Sequence, residues 1–250
     1  MKTVLITGAT SGIGKATAYE LAKNKFRLII CGRRKQRLIA IEKELSTLTQ
    51  VTSLCFDVRD QKAVDNCISN LPKDFQQVNI LINNAGNAHG LDPVETGSIE
   101  DWDAMMDINV KGLLYVSKAV IPQMTLRSSG HIINIGSSAG KEVYPKGAVY
   151  CASKHAVVAL TTGMRMDLNQ YGIKVTAINP GLVETEFSKV RFKGGKQADK
   201  VYKGYKALQA EDIAEIIAFS ISRPDHVNIA DLLVFPSAQA SSTMVKKEFN

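Results

Sequence analysis

The stretch Val4-Leu5-Ile6-Thr7-Gly8-Ala9-Thr10-Ser11-Gly12-Ile13-Gly14 decides how the rest of the chain is read. A short apolar run, the right length for a buried strand, breaks at glycine and resumes as an amphipathic helical pattern over Ile13–Asn24. A strand that enters a helix through such a turn aims backbone N–H groups and a helix N-terminus at an anion, a pyrophosphate above all. Gly8, Thr10, Ser11, Gly12, Ile13 and Gly14 are therefore candidate phosphate-binding residues. The spacing is Gly-x-x-x-Gly-x-Gly rather than the more familiar G-x-G-x-x-G, and a purely structural glycine turn is the competing reading.

The strand–helix alternation continues outward from this unit to the end of the chain. Short β-branched runs predict strands at Val4–Thr7, Arg27–Gly32, Thr52–Asp57, Ile80–Asn83, His131–Ser137, Lys174–Asn179 and Leu232–Phe235. Helical patterns occupy Ile13–Asn24, Lys35–Leu48, Gln61–Asn70, Ile99–Leu126, Ala148–Gln170 and Glu211–Ser222. This is the pattern of an α/β, Rossmann-type, doubly wound sheet of about seven parallel strands flanked by helices. Ligands of such sheets bind beyond the carboxyl ends of the strands, so those ends form a search list. They hold Gly8 to Gly14, Arg33-Arg34, Asp57-Val58, Asn84 to Gly86, Ser137-Ser138 and Pro180 to Thr185.

A chain of 250 residues, 45% hydrophobic and 22% charged, is expected to form one domain over residues 1–250, since no linker-like or repetitive tract divides it. The formal charge of +7 comes from scattered basic residues without a nucleic-acid motif, which points to an anionic small ligand instead. No apolar run reaches the roughly 18 residues of a membrane span, and no signal peptide precedes the first strand; a cytoplasmic protein is expected. Cys31, Cys55, Cys67 and Cys151 have neither disulfide density nor metal spacing, and only Cys151, beside Tyr150, invites a chemical role. His131 and His155 lack partners at ligand spacing, so no metal is expected.

At the end of the second predicted strand, the carboxylate that would bind the ribose 2′-OH of NAD is replaced by Gly32-Arg33-Arg34. Guanidinium groups there suit a 2′-phosphate and point to NADP(H), a solvated basic turn being the alternative. Asp57, with Val58 beside it, is placed to meet the adenine amino group, or else to cap the helix near Gln61. Asn84 closes the fourth strand in an Asn-Asn-Ala-Gly turn and joins the cofactor-binding set.

The stretch Val149–Leu160, within the helix expected over Ala148–Gln170, carries Tyr150 and Lys154 four residues apart, on one face, with Ser137 at a preceding strand end. Tyr150 is the candidate general acid and base of a hydride transfer, and Ser137 the hydrogen-bond partner of the reacting oxygen. Lys154 is assigned both to lowering the phenol pKa and to binding the nicotinamide ribose. Taken together, the glycine turn, Asn83-Asn84-Ala85-Gly86, Ile108-Asn109-Val110-Lys111-Gly112, the serine strand, Tyr150-Cys151-Ala152-Ser153-Lys154 and Asn179-Pro180-Gly181 resemble the short-chain dehydrogenase/reductase family over nearly the whole length. The resemblance implies that Asn109 holds a water linking Lys154 to solvent. It also implies that Pro180, Gly181, Val183 and Thr185 meet the nicotinamide carboxamide and pyrophosphate, and that the two long helices pair subunits into homodimers or homotetramers.

Within that family, Pro180–Gly194 and Val227–Pro236 look like the NADP-dependent 3-hydroxy acid dehydrogenases that oxidise serine and L-allo-threonine. A 3-hydroxy acid such as 3-hydroxypropionate needs a cation for its carboxylate. Arg191 is the substrate-binding candidate, with Lys193 as its rival, in an expected substrate lid near 184–210. Phe187 and Tyr144 are candidate pocket walls. A reductase of other carbonyls, including 3-oxoacyl thioesters, and a catalytically idle dinucleotide-binding regulator are the alternative functions.

Overall fold

Val4, Leu5 and Ile6 have no exposed surface in the computed structural model, which describes residues 1–248 apart from the side chain of Asp199. They form β1 (Thr3–Ile6), buried on both faces, as strands of parallel sheets are. Around it the chain forms one seven-stranded parallel sheet, in the order β3 (Val51–Cys55), β2 (Arg27–Gly32), β1, β4 (Val78–Asn83), β5 (Gly130–Ile135), β6 (Ile173–Pro180) and β9 (Asp231–Val234). The seven expected strands are all present. Strand order reverses at β1, so the crevice beyond β1 and β4 is the topological switch point where ligands bind.

Alternate strand residues feed two cores. Val4, Ile6, Leu28, Ile30, Ile80 and Ile82 pack under α1 (Gly12–Lys23), α2 (Lys35–Leu45) and α9 (Ala210–Ile221). On the opposite face Leu5, Ile29, Leu81 and Ile132 meet α3 (Gln61–Ser69), α5 (Leu113–Arg127) and α6 (Ala148–Leu168). Each fully buried branched side chain contributes roughly 1.5–3 kcal/mol, so the sheet fixes its register strongly. Most polar side-chain atoms inside this second layer are paired, Asn83 Oδ1 being an exception. Asn83 Nδ2 donates to Ser117 Oγ and to Asn134 Oδ1, both at 2.9 Å, and Asn134 Nδ2 donates to Thr161 Oγ1 at 2.9 Å. This chain of amides and hydroxyls joins β4, β5, α5 and α6.

Three departures from the sequence reading bear on function. The helix expected over 99–126 is α4 (Ile99–Met106), then a π turn at Asp107–Gly112, then α5. β3 and β5 end two residues earlier than expected, at Cys55 and Ile135, which leaves Asp57 and Ser137 in the turns beyond the strands. The segment expected to be a lid has its own structure: a two-stranded parallel sheet of β7 (Val183–Glu184) and β8 (Leu208–Gln209) brackets α7 (Phe187–Arg191) and α8 (Lys196–Lys200). None of the helices among the described residues is long and apolar enough to cross a membrane.

Replacing Asn134 with alanine removes the acceptor of Asn83 Nδ2 on β4 and the donor to Thr161 Oγ1 on α6. The expected result is a loss of roughly 1–3 kcal/mol, seen as a lower urea midpoint at unchanged slope. An unchanged midpoint would remove the network from the account of stability.

Candidate active site

The glycine turn closes on β4. Gly8 and Gly12 have φ of +66° and +51°, the left-handed region that glycine enters without cost. Asn84 Nδ2 donates to the carbonyls of Thr7 (2.9 Å) and Gly8 (3.2 Å), and Thr7 Oγ1 accepts from the N–H groups of Asn84 and Ala85, both at 3.0 Å. A Cβ on Gly14 would collide with Asn84 Nδ2 and Gly8 O. Asn84 is thus the clamp that holds the turn.

The N-terminus of α1 is uncapped, as are those of α2 and α6, whereas α3, α4 and α9 carry side-chain caps. Asp60 caps α3 by accepting from Ala63 N at 3.0 Å, Ser98 Oγ accepts from Asp101 N at 3.3 Å at the start of α4, and Gln209 with Asp212 forms a capping box on α9. Ser11, the N-cap of α1, makes no such bond, and its first turn has no acidic residue. Its Oγ accepts instead from Arg34 Nη2 at 2.6 Å. The first-turn N–H groups of α1 are left facing the cleft without a side-chain cap, as a phosphate site requires.

The basic end is more crowded than the sequence indicates. Arg34 also donates to Thr10 Oγ1, from Nε at 3.0 Å and Nη2 at 2.6 Å, and to Glu186 Oε2, from Nη1 at 3.0 Å. Arg33 is the freer guanidinium, tied only to Asp57 at 3.5 Å. Asp57 does not cap α3, because Asp60 does. Burial alone would push the Asp57 carboxyl up, but hydrogen bonds from Arg59 together with the charges of Arg33 and Arg59 hold it below its usual range. Arg59 is a residue the sequence reading missed, although Asp57-Val58-Arg59 stands at a strand end already on the search list. Val58 packs its methyl against Gly112 of the π turn.

Ser137, Tyr150 and Lys154 come together at the far end of the cleft. Ser137 opens a 3-10 turn at Ser138–Gly140, and its Oγ accepts from Ala139 N at 3.1 Å. The Tyr150 hydroxyl faces the Ser137 side chain across the cleft. Lys154, 6% exposed, donates from Nζ to Ile135 O at 3.0 Å, and burial lowers its pKa to about 8. It therefore remains mostly protonated at neutral pH. For Tyr150 the expectation needs correcting: burial pushes the phenol up, and the groups opposing this are Ser137 and Arg191 rather than Lys154. The protein by itself does not supply the depressed phenol that the four-residue spacing suggested.

Asn109 lies in the π turn, where the extra residue per turn re-aims a side chain that a regular helix would point elsewhere. Its Oδ1 accepts from Asn87 N at 2.9 Å, while Nδ2 donates to Asn87 O at 2.9 Å and Ser153 Oγ at 3.0 Å. Gly86 lies between Asn109 and Lys154: a Cβ there would be 3.1 Å from Asn109 Oδ1 and 3.6 Å from Lys154 Nζ. The asparagine clamps the loop that follows β4 and borders the ammonium.

The two rival cations are separated by the fold. Arg191 closes α7 inside the cleft, donating from Nε to Gly90 O and from Nη1 to Tyr144 Oη, both at 3.0 Å. Its guanidinium carbon lies 5.5 Å from the ring centre of Tyr150 and 5.6 Å from that of Tyr144. Lys193 instead pairs with Asp101 at 3.0 Å on the surface. Phe187 lies 5.8 Å from the Tyr150 ring, centre to centre, so it and Tyr144 wall the site as expected. Cys151 is buried beneath, His131 bonds Thr176 Oγ1 within the sheet at 2.8 Å, and His155 Nδ1 lies against Cys151 O. Gln239, unforeseen in the sequence, accepts from Leu182 N at 2.9 Å and fixes the turn at Pro180, Gly181 and Val183; Thr185 beyond it packs near Gly12. One continuous cleft of about 780 Å³ joins Arg33 and Arg34 to Ser137, Tyr150 and Arg191.

Comparison with known proteins agrees with this arrangement. The family model described as short chain dehydrogenase matches residues 2–195. An NADP-dependent 3-hydroxy acid dehydrogenase of Schizosaccharomyces pombe is 45% identical over 251 residues, 99% of this chain and 97% of that protein. Sulfoacetaldehyde reductase 2 of Chromohalobacter salexigens is 45% identical over 242 residues, 96% of each chain. The closed form of a serine dehydrogenase complexed with NADP+ superposes with a TM-score of 0.92 at 40% identity, covering 99% of this chain and 100% of that one. The protein belongs to the short-chain dehydrogenase family and is an oxidoreductase.

Proposed function

We propose that the protein interconverts small 3-hydroxy acids, such as serine, L-allo-threonine and 3-hydroxypropionate, with their carbonyl forms, using NADP(H). The observation that carries the acid specificity is Arg191, whose guanidinium lies 5.5 Å from the ring centre of Tyr150 inside the cleft. Its Nη2 makes no hydrogen bond among the described residues, so it has donors to offer a carboxylate. The relatives and the NADP+ complex described above support the cofactor.

NADP, when bound, supplies the acceptor or donor of hydride. The residues fitted to hold it are the uncapped start of α1 at Gly12–Gly14 for the pyrophosphate and Arg33 with Arg34, Thr10 and Ser11 for the 2′-phosphate. Asp57 and Val58 border the adenine end. Asn84 serves by holding Gly8, and Pro180, Gly181, Val183 and Thr185 border the nicotinamide end.

Tyr150 gives its hydroxyl proton to the substrate oxygen in reduction and takes it back in oxidation, with Ser137 donating a second hydrogen bond to that oxygen. To act as a base near neutrality the phenol must fall by about three pH units, roughly 4 kcal/mol. Burial opposes that fall, so positive charge close to the ring has to outweigh it. Arg191 is in place, Lys154 is an ammonium at pH 7, and oxidised nicotinamide adds a third charge. Asn109 holds a water beside Lys154 to pass the proton outward; the space left by Gly86 between the two supports this.

Reduction of a sulfonated aldehyde is a second reading, favoured by the Chromohalobacter relative, because a sulfonate meets the same guanidinium. A reductase of neutral carbonyls has no such use for Arg191, and an idle regulator has none for Ser137, Tyr150 and Lys154. The segment from residue 184 to 210 acts as the substrate lid. Assembly into dimers or tetramers uses α4–α5 and α6, on which Ala152, His155, Ala159, Thr162 and Met166 form an exposed stripe at helical spacing.

Arg191→Ala should raise KM for 3-hydroxypropionate roughly 10- to 100-fold, the worth of a charge-assisted pair, and leave KM for a neutral secondary alcohol nearly unchanged. An equal effect on both alcohols would remove the carboxylate assignment, and inclusion of sulfoacetaldehyde separates the second reading. Neutral replacements at Arg33 and Arg34 should cut kcat/KM with NADPH by roughly 100-fold, about 2.7 kcal/mol, without harming NADH use. An unmoved NADPH/NADH ratio would discard the 2′-phosphate site. Light scattering should return a multiple of the 27.2 kDa chain mass, and a monomer would discard the assembly.

A further inference from the structure

Glu186 lies between the two ends of the cleft and belongs to neither set of residues described above. It directly precedes α7, and its carboxylate accepts from Arg34 Nη1 at 3.0 Å and from Arg37 Nη1 at 2.9 Å to each oxygen. The two arginine hydrogen bonds outweigh partial burial and hold the carboxyl below its usual range, so it is charged at any working pH. Arg34 belongs to the basic end and Arg191 to the reaction end. Between Glu186 and Arg191 runs only α7, five residues or about 7.5 Å of stiff helix.

We propose that Glu186 is a positioning residue, a latch whose clasp by Arg34 and Arg37 holds the 184–210 segment down and so sets Arg191 over Tyr150. This rests on the reading of Arg191 given under the proposed function. Three observations carry it. Among the described residues, the other polar ties of this segment to the protein body reach the substrate side, the turn at Leu182-Val183 or the chain's end, as in Gly90 N donating to Arg191 O at 2.9 Å and Tyr202 Oη donating to Val183 O at 2.8 Å. Only the Glu186 pairs reach the basic end. The participating side chains are 43% to 48% exposed, which makes the clasp weak and salt-sensitive, as suits a device that opens and shuts rather than a permanent brace. Finally, Arg34 is already committed to Thr10, Ser11 and Glu186 before any phosphate arrives. A phosphate dianion beside Arg34 would face the Glu186 carboxylate, so the latch favours substrate positioning at some expense to cofactor affinity.

Arg37 does not line the cleft, which makes it the cleaner handle. In the full-length protein, Glu186→Gln and Arg37→Gln should each raise KM for 3-hydroxypropionate roughly three- to tenfold, with kcat within about twofold of the parent. The double variant should be no worse than the more affected single one, because both remove the same contact. The NADPH dissociation constant of Glu186→Gln should stay the same or fall. Hydrogen exchange of the unliganded protein should quicken in residues 187–206 in both single variants and nowhere else.

Additive KM effects, a KM within about twofold of the parent in either single variant, weaker NADPH binding by Glu186→Gln, or unchanged exchange in 187–206 would each overturn the latch. Arg191→Ala run alongside keeps the two proposals apart. If it leaves KM unmoved, the carboxylate reading fails and exchange alone judges the latch. If it raises KM while the latch variants do not, the latch fails and the carboxylate reading stands.

Discussion

Parallel pairing of β1 with β2 on one side and β4 on the other is the constraint on which the rest of this protein depends. It reverses the strand order at β1 and so opens a crevice at the carboxyl ends of β1 and β4, where no helix can cover the sheet. Asn84 bridges that crevice to the carbonyls of Thr7 and Gly8. Because the glycine turn is pinned there, α1 starts with its N–H groups aimed into the cleft. Because Ser11 turns its hydroxyl to Arg34 instead of capping the helix, those groups are kept for a ligand. Structural stability is given up locally in favour of binding.

The same trade recurs at the other end. An ammonium that is 6% exposed and a phenol that is 7% exposed are costly to bury, and each has its pKa moved by burial toward the neutral form. The cost is tolerated because Lys154 has Ile135 O as a partner, while Ser137 faces the phenol and Arg191 stands against its ring. Such a site is tuned to become more favourable when charge enters it. The cleft thus carries basic groups at both ends, Arg33 and Arg34 at one and Arg191 at the other.

Much of this was legible in the chain. Short runs of branched residues located every strand of the seven-stranded sheet, since strands buried on both faces read as continuous apolar runs. Glycine spacing found the turn, and the strand-end rule found Ser137 and the arginines. Most of the omissions share a cause. Arg37, Glu186 and Gln239 act through partners that lie tens or more than a hundred residues away, and local spacing carries no record of such pairs; Arg59 is different, pairing with Asp57 only two residues before it. The π turn at Asp107–Gly112 was read as plain helix because a π turn differs from an α-helix by one residue of register, and the apolar pattern of Ile99–Leu126 tolerates that shift.

Sequence by itself determined the fold class and the family, and singled out the glycine turn, Ser137, Tyr150 and Lys154, because these follow from short-range patterns: branched runs between amphipathic stretches, a glycine turn, a tyrosine and a lysine one helical turn apart. Tertiary structure alone decided which cation faces the site. Arg191 and Lys193 are two residues apart on the same basic segment, yet the end of α7 turns one over Tyr150 and the other out to Asp101. Tertiary structure also decided the sign of the local field on Tyr150, because burial and the approach of Arg191 depend on elements folded from distant parts of the chain. Spacing can place a side chain on a helix face; the dielectric and the charges it meets there are set by whatever packs against that face.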